Sequence, residues 1–431
     1  MEELQEIKNK ANELRKAKNF TEALPLYITL WEKPGDSFDG AGLLSCLRNL
    51  KKNDEALKLA SEIIEKYPND HWCQLETIWT YIKTELNQFP DNSPLETVLR
   101  SAKKIIGLNP QDLALRSVVF KVLKFIKKHN RWELAEEWLE RINPNDLDEK
   151  PIAETFGPRG WSYKVLWYNY KLKFLLEKGN FEEVIKLTDE ISEKFPNQKK
   201  YILRFKATAF YRLKRLDESV AIYSELTRGF KVDWWLLHEY ALVLKDKNRK
   251  TEALTLMFRA ASSNSKLQLM VTSFAEIGFL LREMNRNEEA LAHLLLSKYV
   301  REENGWKTSQ ELESSISELT KTVSPDFKIS STREALSYCK NSWLKESGEK
   351  NPKDSDVRKI KKGLNGNVKF GPENKPFCFI YCSDKESYFC NKSNLPKGLL
   401  EGESVYFDAI PSFDEKKGKE SWKASNVRKN K

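Results

Sequence analysis

From Met1 to about Thr320, apolar residues recur three and four positions apart, the spacing of helices buried along one face. Within that stretch one short pattern returns. It reads Asn19-Phe20-Thr21-Glu22-Ala23-Leu24, then Asn53-Asp54-Glu55-Ala56-Leu57, Asn180-Phe181-Glu182-Glu183-Val184-Ile185, Arg215-Leu216-Asp217-Glu218-Ser219-Val220, Lys250-Thr251-Glu252-Ala253-Leu254 and Asn287-Glu288-Glu289-Ala290-Leu291. Ala23 and Ala56 are 33 residues apart, and the last four copies are separated by 35, 34 and 37. The small residue in each copy lets the second helix of a pair lie close against the first. Four positions on, Tyr27, Ala60, Tyr223, Met257 and Leu294 fall on the same helix face. Prolines at Pro68 and Pro196 end units, because proline cannot continue a helix. Asn109-Pro110 and Asn143-Pro144 mark further stops and imply two more helix pairs between residues 71 and 146.

This period resembles that of tetratricopeptide repeats, and the resemblance implies an α-solenoid of about eight units. The array is interrupted near 145–160, where Asp148-Glu149-Lys150-Pro151 and Phe156-Gly157-Pro158-Arg159-Gly160 are loop chemistry. The aromatic-rich helix that follows, Trp161 to Tyr170, either lines a peptide groove or packs between helices; packing is the simpler expectation. Ser309 to Leu319 reads as a last amphipathic helix. Residues 321–362 read as a connector. It holds one helix over 332–345, with Ala335, Leu336, Cys339, Trp343 and Leu344 on one side, and then a basic, flexible linker.

After residue 362 the period changes from helical to two, over short segments rich in aromatics. Phe377 and Phe379 share one face of a strand, while Cys378 and Ile380 share the other. Both faces are apolar, and a small barrel has one interior, so one face must be exposed. Exposed rings beside lysines are what single-stranded nucleic acid needs: surfaces for bases to stack on and charge for phosphates. Further strands follow at Ser387 to Lys392, Leu399 to Phe407 and Ala424 to Val427.

The order Gly366-Asn367-Val368-Lys369-Phe370, Lys375-Pro376-Phe377-Cys378-Phe379-Ile380, Tyr388-Phe389-Cys390-Asn391-Lys392, Leu400-Glu401-Gly402 with Val405-Tyr406-Phe407, and Ala424-Ser425-Asn426-Val427 resembles the cold-shock domain, a five-stranded OB-type barrel. The resemblance covers residues 363–431. It implies a nucleic-acid-binding face made of Lys369, Phe370, Lys375, Phe377, Phe379, Phe389, Asn391 and Lys392. Four of these rings, Phe370, Phe377, Phe379 and Phe389, are expected together on one outer face, ringed by Lys369, Lys375 and Lys392. Gly371, Pro376, Cys378, Asn391 and Lys392 depart from the family pattern, which weakens stacking positions and leaves open a barrel kept for protein contact. The fold class expected is therefore mainly α: a tetratricopeptide-type α-solenoid over 1–320, then a small all-β OB-fold barrel. Repeats followed by such a barrel are also similar in architecture to components of the bacterial multi-gene conflict systems called TOTE.

Charge sharpens this picture. The chain of 431 residues carries a net charge of +10. Residues 353–431 hold 17 Lys/Arg against 11 Asp/Glu, so more than half of the excess lies with the barrel. That bias is expected of a polyanion-binding module. No run of apolar residues is long enough to span a membrane, and the acidic start Met1-Glu2-Glu3 lacks the apolar core of a signal peptide. Six cysteines without paired spacing fit a reduced, cytoplasmic protein.

The sequence shows no Walker loop, no G-x-S-x-G and no cluster of metal ligands. Its four histidines, His71, His129, His238 and His293, are far apart. The expectation is a non-enzymatic adaptor without cofactor or metal. Its solenoid binds a protein partner, and its barrel binds single-stranded RNA or DNA. A pure protein-interaction scaffold, whose barrel no longer binds nucleic acid, is the alternative.

Overall fold

A computed structural model describes the chain except residues 1, 34, 153–160, 229–231, 264–265, 347–360, 372–375, 384–385, 397, 415–418 and 430–431. The connector's basic stretch before the barrel and Lys375 therefore fall almost wholly outside the described residues. Tertiary contacts divide the chain into two compact units, Met1–Val232 and Asp233–Lys431.

The first unit is helical. It contains α1 (Glu2–Lys16), α2 (Phe20–Glu32), α3 (Ser37–Asn49), α4 (Asn53–Lys66), α5 (His71–Thr84), α6 (Leu95–Ile106), α7 (Asp112–His129), α8 (Ala135–Leu139), α9 (Tyr163–Lys178), α10 (Phe181–Ser192), α11 (Lys199–Arg212) and α12 (Leu216–Leu226). The second unit continues with α13 (Trp234–Asp246), α14 (Lys250–Ser263), α15 (Val271–Glu283), α16 (Asn287–Glu303), α17 (Gln310–Thr322) and α18 (Thr332–Glu346). Consecutive helices pair as hairpins, among them α1 with α2, α11 with α12, α13 with α14 and α15 with α16. The fold class is mainly α, with tetratricopeptide-type repeats of the α-solenoid class followed by an all-β barrel.

The repeat chemistry is visible in the packing. Ala23, Ala56, Val184, Ser219, Ala253 and Ala290 are all fully buried, and so are Tyr27, Ala60, Thr188, Tyr223, Met257 and Leu294 four positions on. The turn within each hairpin is also the same. Lys18, Lys51, Gly179, Lys214, Asn248 and Asn285 each adopt a left-handed backbone, five residues before the small residue. The next residue's N–H then reaches back to a carbonyl of the first helix, as from Lys52 to Leu47, Asn180 to Leu175 and Arg286 to Leu281, at 2.9–3.0 Å. This bond satisfies a helix-end carbonyl that would otherwise lack a partner.

First helices of successive hairpins are joined by ion pairs. In the first unit Lys8 of α1 reaches Asp36 and Asp39 at the start of α3, and Arg48 of α3 reaches Glu76 of α5. In the second unit Lys245 of α13 meets Glu276 of α15 at 3.0 Å, and Arg282 of α15 meets Glu318 of α17 at 3.4 Å.

Helix α18 packs on α14 and α16. Trp343 is buried, stacks on Phe274 and donates from Nε1 to Nε2 of His293 at 2.8 Å, while Nδ1 of His293 lies 2.7 Å from the Glu289 carbonyl. Arg286 forks onto both Glu289 and Glu346. The buried side of α18 is Ala335, Cys339, Ser342 and Trp343; Leu344, expected on it, is exposed. Ser342 lies three residues beyond Cys339, so it rather than Leu344 falls under the neighbouring helices.

The aromatic helix α9 packs between helices. Val165, Trp167 and Tyr170 are buried, Trp167 donates to the Leu139 carbonyl at 3.2 Å, and Phe120 of α7 meets the rings of Tyr163 and Tyr170.

The barrel has five strands: β1 (Lys361–Phe370), β2 (Phe377–Tyr381), β3 (Ser387–Asn391), β4 (Ser404–Asp414) and β5 (Lys419–Lys429). They close in the order β1-β2-β3-β5-β4, antiparallel except where β3 meets β5. The interior holds Val368, Cys378, Ile380, Tyr388, Cys390, Val405, Phe407, Ala409 and Ala424. Gly366 is needed where β1 crosses β2, since a Cβ there would come within 2.7 Å of the Tyr381 carbonyl and 2.8 Å of Ile380.

Candidate nucleic-acid interface

Strand alternation builds the site. On β2 the buried Cys378 and Ile380 turn Phe377 and Phe379 outward, and on β3 the buried Tyr388 and Cys390 turn Phe389 outward. Register then brings the rings together, because Phe379 lies directly opposite Phe389. Ring centroids are 5.8 Å apart for Phe377 and Phe379, 5.7 Å for Phe377 and Phe389, and 6.0 Å for Phe379 and Phe389. All three rings are half-buried, each partly shielded by the other two and partly open to solvent.

Cations flank this triad on both sides. Lys369 on β1 is exposed and lies opposite Phe379. Lys423 on β5 lies opposite Phe389 across the parallel pairing. Asn391 lies opposite Phe377. The outward positions beside the triad on β1, β2, β3 and β5 include Asn365, Asn367, Tyr381, Ser387, Ser421 and Ser425, none of them a carboxylate. Such a surface offers rings for stacking with positive charge on either side.

Phe370 does not join the triad. It shares the parity of Val368, lies opposite the buried Cys378 and packs against the barrel interior. Lys369 and Phe370 are neighbours in one strand, so they point to opposite faces; a motif that places both on the surface cannot hold here. Lys392, in the turn after β3, goes with Phe370, its Nζ 5.4 Å from that ring's centroid. Lys375 lies outside the described residues. Gly371, which departs from the family pattern, is crowded by Phe377: a Cβ would approach that ring to 3.1 Å. Sequence reasoning missed Lys423 and Tyr381. Tyr381 follows from parity, being two beyond Phe379, whereas the place of Lys423 beside Phe389 depends on the pairing of β3 with β5.

Two cysteines of the barrel, Cys378 and Cys390, are not poised for chemistry. Cys378 and Cys390 face each other inside it as free thiols. Burial pushes the Cys378 thiol up, and burial together with the neighbouring Cys378 pushes Cys390 up to about 12. Both stay protonated, a poor state for a nucleophile or metal ligand. Among the described residues no group of three or more His, Cys, Asp or Glu is placed to hold a metal ion. No helix of the described residues is long and apolar enough to cross a membrane.

Comparisons with known proteins add the following. Residues 200–331 match a domain of unknown function, DUF7017, over less than a third of the chain. No curated protein matches in sequence. Among solved structures, a tetratricopeptide repeat protein from Parabacteroides merdae is 13% identical, covering 63% of this chain and 98% of its own, with a TM-score of 0.31. The human IFIT1 dimer with PPP-AAAA is 13% identical, with coverage of 78% and 80% and a TM-score of 0.38. The TPR2AB domain of yeast Sti1, in complex with pHSP90, is 16% identical, with coverage of 66% and 96% and a TM-score of 0.26.

Proposed function

We propose that this protein is a non-enzymatic adaptor whose barrel holds single-stranded RNA or DNA and whose helical repeats hold a protein partner. The observation that carries the reading is the face on which Phe377, Phe379 and Phe389 converge between Lys369 and Lys423. Bases stack on such rings without regard to sequence, and lysines on either side take the phosphates. The strand order and motif order support a cold-shock-like identity for the barrel. Joining two binding elements in one chain raises the local concentration of partner and nucleic acid. The similarity in architecture to conflict-system components favours a bacterial antiviral defence setting and action in the cytoplasm.

The test is fluorescence anisotropy of the full chain with labelled single-stranded and duplex oligonucleotides at two salt concentrations. Binding to the single strand that weakens with salt is expected. Absence of binding at low salt refutes the nucleic-acid half and leaves the scaffold reading. For the protein half, nuclease treatment of a pull-down is expected to leave partners bound; loss of every partner contradicts it.

A further inference from the structure

The outward surface does not end at the phenylalanines. On β2, Tyr381 follows Phe379 by two positions and is 46% exposed. It lies opposite Asn367, which in turn lies opposite Ser404 on β4. In the next outward row Asn365, Tyr406 and Arg428 stand side by side on β1, β4 and β5. Tyr406 is 47% exposed between the fully buried Val405 and Phe407, so its ring is held outward by two core residues. An aromatic surface that neither the core nor a neighbouring ring covers is costly to leave in water. Tyr406 and Arg428 border an open cleft of about 490 Å³.

We propose that this row is a second base-binding subsite, taken by the same single strand that crosses the phenylalanine triad. It rests on the nucleic-acid reading above and extends it around β1 to the β4–β5 side. The chemistry fits a base stacked on Tyr406, with the Arg428 guanidinium against its face or on the adjoining phosphate. The cleft also holds Asp408, whose carboxylate accepts from the Gly363 N–H at 3.0 Å and from Asn426 at 2.9 Å. A carboxylate repels phosphate but accepts from the amino group of a base, so a base rather than the backbone enters there. With strands about 4.8 Å apart and residues about 3.4 Å apart along them, Tyr406 lies roughly 16 Å from Phe379 over the surface. A short oligonucleotide on the triad does not reach it; a longer one does.

The experiment compares a mixed-sequence trinucleotide with a mixed-sequence dodecanucleotide on the full-length protein. Tyr406→Ala is expected to weaken the dodecanucleotide at least about fivefold and to leave the trinucleotide unchanged, while Tyr406→Phe, which keeps the ring, behaves as the parent. If the parent binds both lengths and Tyr406→Ala binds them as the parent does, the second subsite is refuted while the first stands. Equal weakening of both lengths also refutes it, since the substitution then acts through the barrel as a whole. If the parent binds neither length, the subsite falls together with the function it extends.

Discussion

Phe379 and Phe370 lie on opposite faces of neighbouring strands, and replacing each by alanine separates binding from folding. Phe379 is outward and half-buried, touching only the rings of Phe377 and Phe389 among the described aromatic residues. Removing it deletes two ring contacts, each worth about 0.5–1.5 kcal/mol beyond the area buried. The interior built on Val368, Ile380, Tyr388 and Phe407 is untouched. Stability is expected to fall by about 1–3 kcal/mol, which leaves the barrel folded. Binding loses a stacking platform worth about 1–3 kcal/mol, so affinity is expected to drop from about fivefold to a hundredfold. Phe370→Ala acts in the other direction. It opens a cavity at the edge of the interior and removes the Lys392 contact, so a stability loss of about 2–4 kcal/mol is expected. Affinity per folded molecule changes less than about threefold. Thermal unfolding of each variant and oligonucleotide anisotropy below its transition give both numbers. The account is refuted if Phe370→Ala weakens binding more than Phe379→Ala does, or if Phe379→Ala unfolds the barrel.

Four further outcomes follow from the packing. Gly366→Val is expected to destabilise the barrel by at least about 2 kcal/mol, because its Cβ meets the Tyr381 backbone and Ile380; unchanged unfolding contradicts that. Lys51→Gly is expected to stabilise the protein by roughly 1 kcal/mol, since Lys51 is exposed with φ of 60° and glycine takes that backbone without a Cβ penalty; chemical denaturation measures it. Burial first, against a weaker pull from Glu289, holds the His293 imidazole down at about 4 from its ordinary 6.5. Its neutral form therefore belongs to the folded state, and the unfolded chain binds the extra proton first. The contribution is complete above about pH 6.5 and is lost, up to about 3 kcal/mol, as pH falls toward 4. Denaturation at pH 7 and pH 4.5 is expected to show this loss, and a His293→Phe variant a shallower dependence. Lys423→Ala is expected to weaken all oligonucleotides modestly and reduce the salt slope by about one phosphate contact; no change in slope places Lys423 outside the interface.

How far the chain can be read without its structure varies from element to element. The repeats are legible because a buried small residue recurs at nearly fixed spacing, and Ala23, Ala56, Ser219, Ala253 and Ala290 are all where that spacing requires. The hairpin turns are less so. Lysine at 18, 51 and 214 gives no hint of a left-handed backbone, which the tight turn imposes in spite of the side chain. Strand parity places Phe377 and Phe379 on one face, whereas their convergence with Phe389 is implied by the family resemblance and depends on the β2–β3 register. Phe370 turns to the interior because strand parity, not motif order, decides its face. Lys423 and the Asn365–Tyr406–Arg428 row escaped because they depend on which strand lies beside which, and one strand's sequence does not carry its register with another. The ion pairs between successive first helices, such as Lys245 with Glu276, are long-range for the same reason.

The central claim, that nucleic acid lies on the outer face of β2 and β3, is tested most directly by photo-crosslinking. An oligonucleotide carrying 5-iodouridine is irradiated with the full chain, and the adducts are mapped by mass spectrometry of the digested protein. The account predicts adducts on peptides holding Phe377, Phe379 or Phe389, lost when Phe377 and Phe389 are both replaced by alanine. Adducts confined to the helices of residues 1–346, or unchanged by those substitutions, would contradict it.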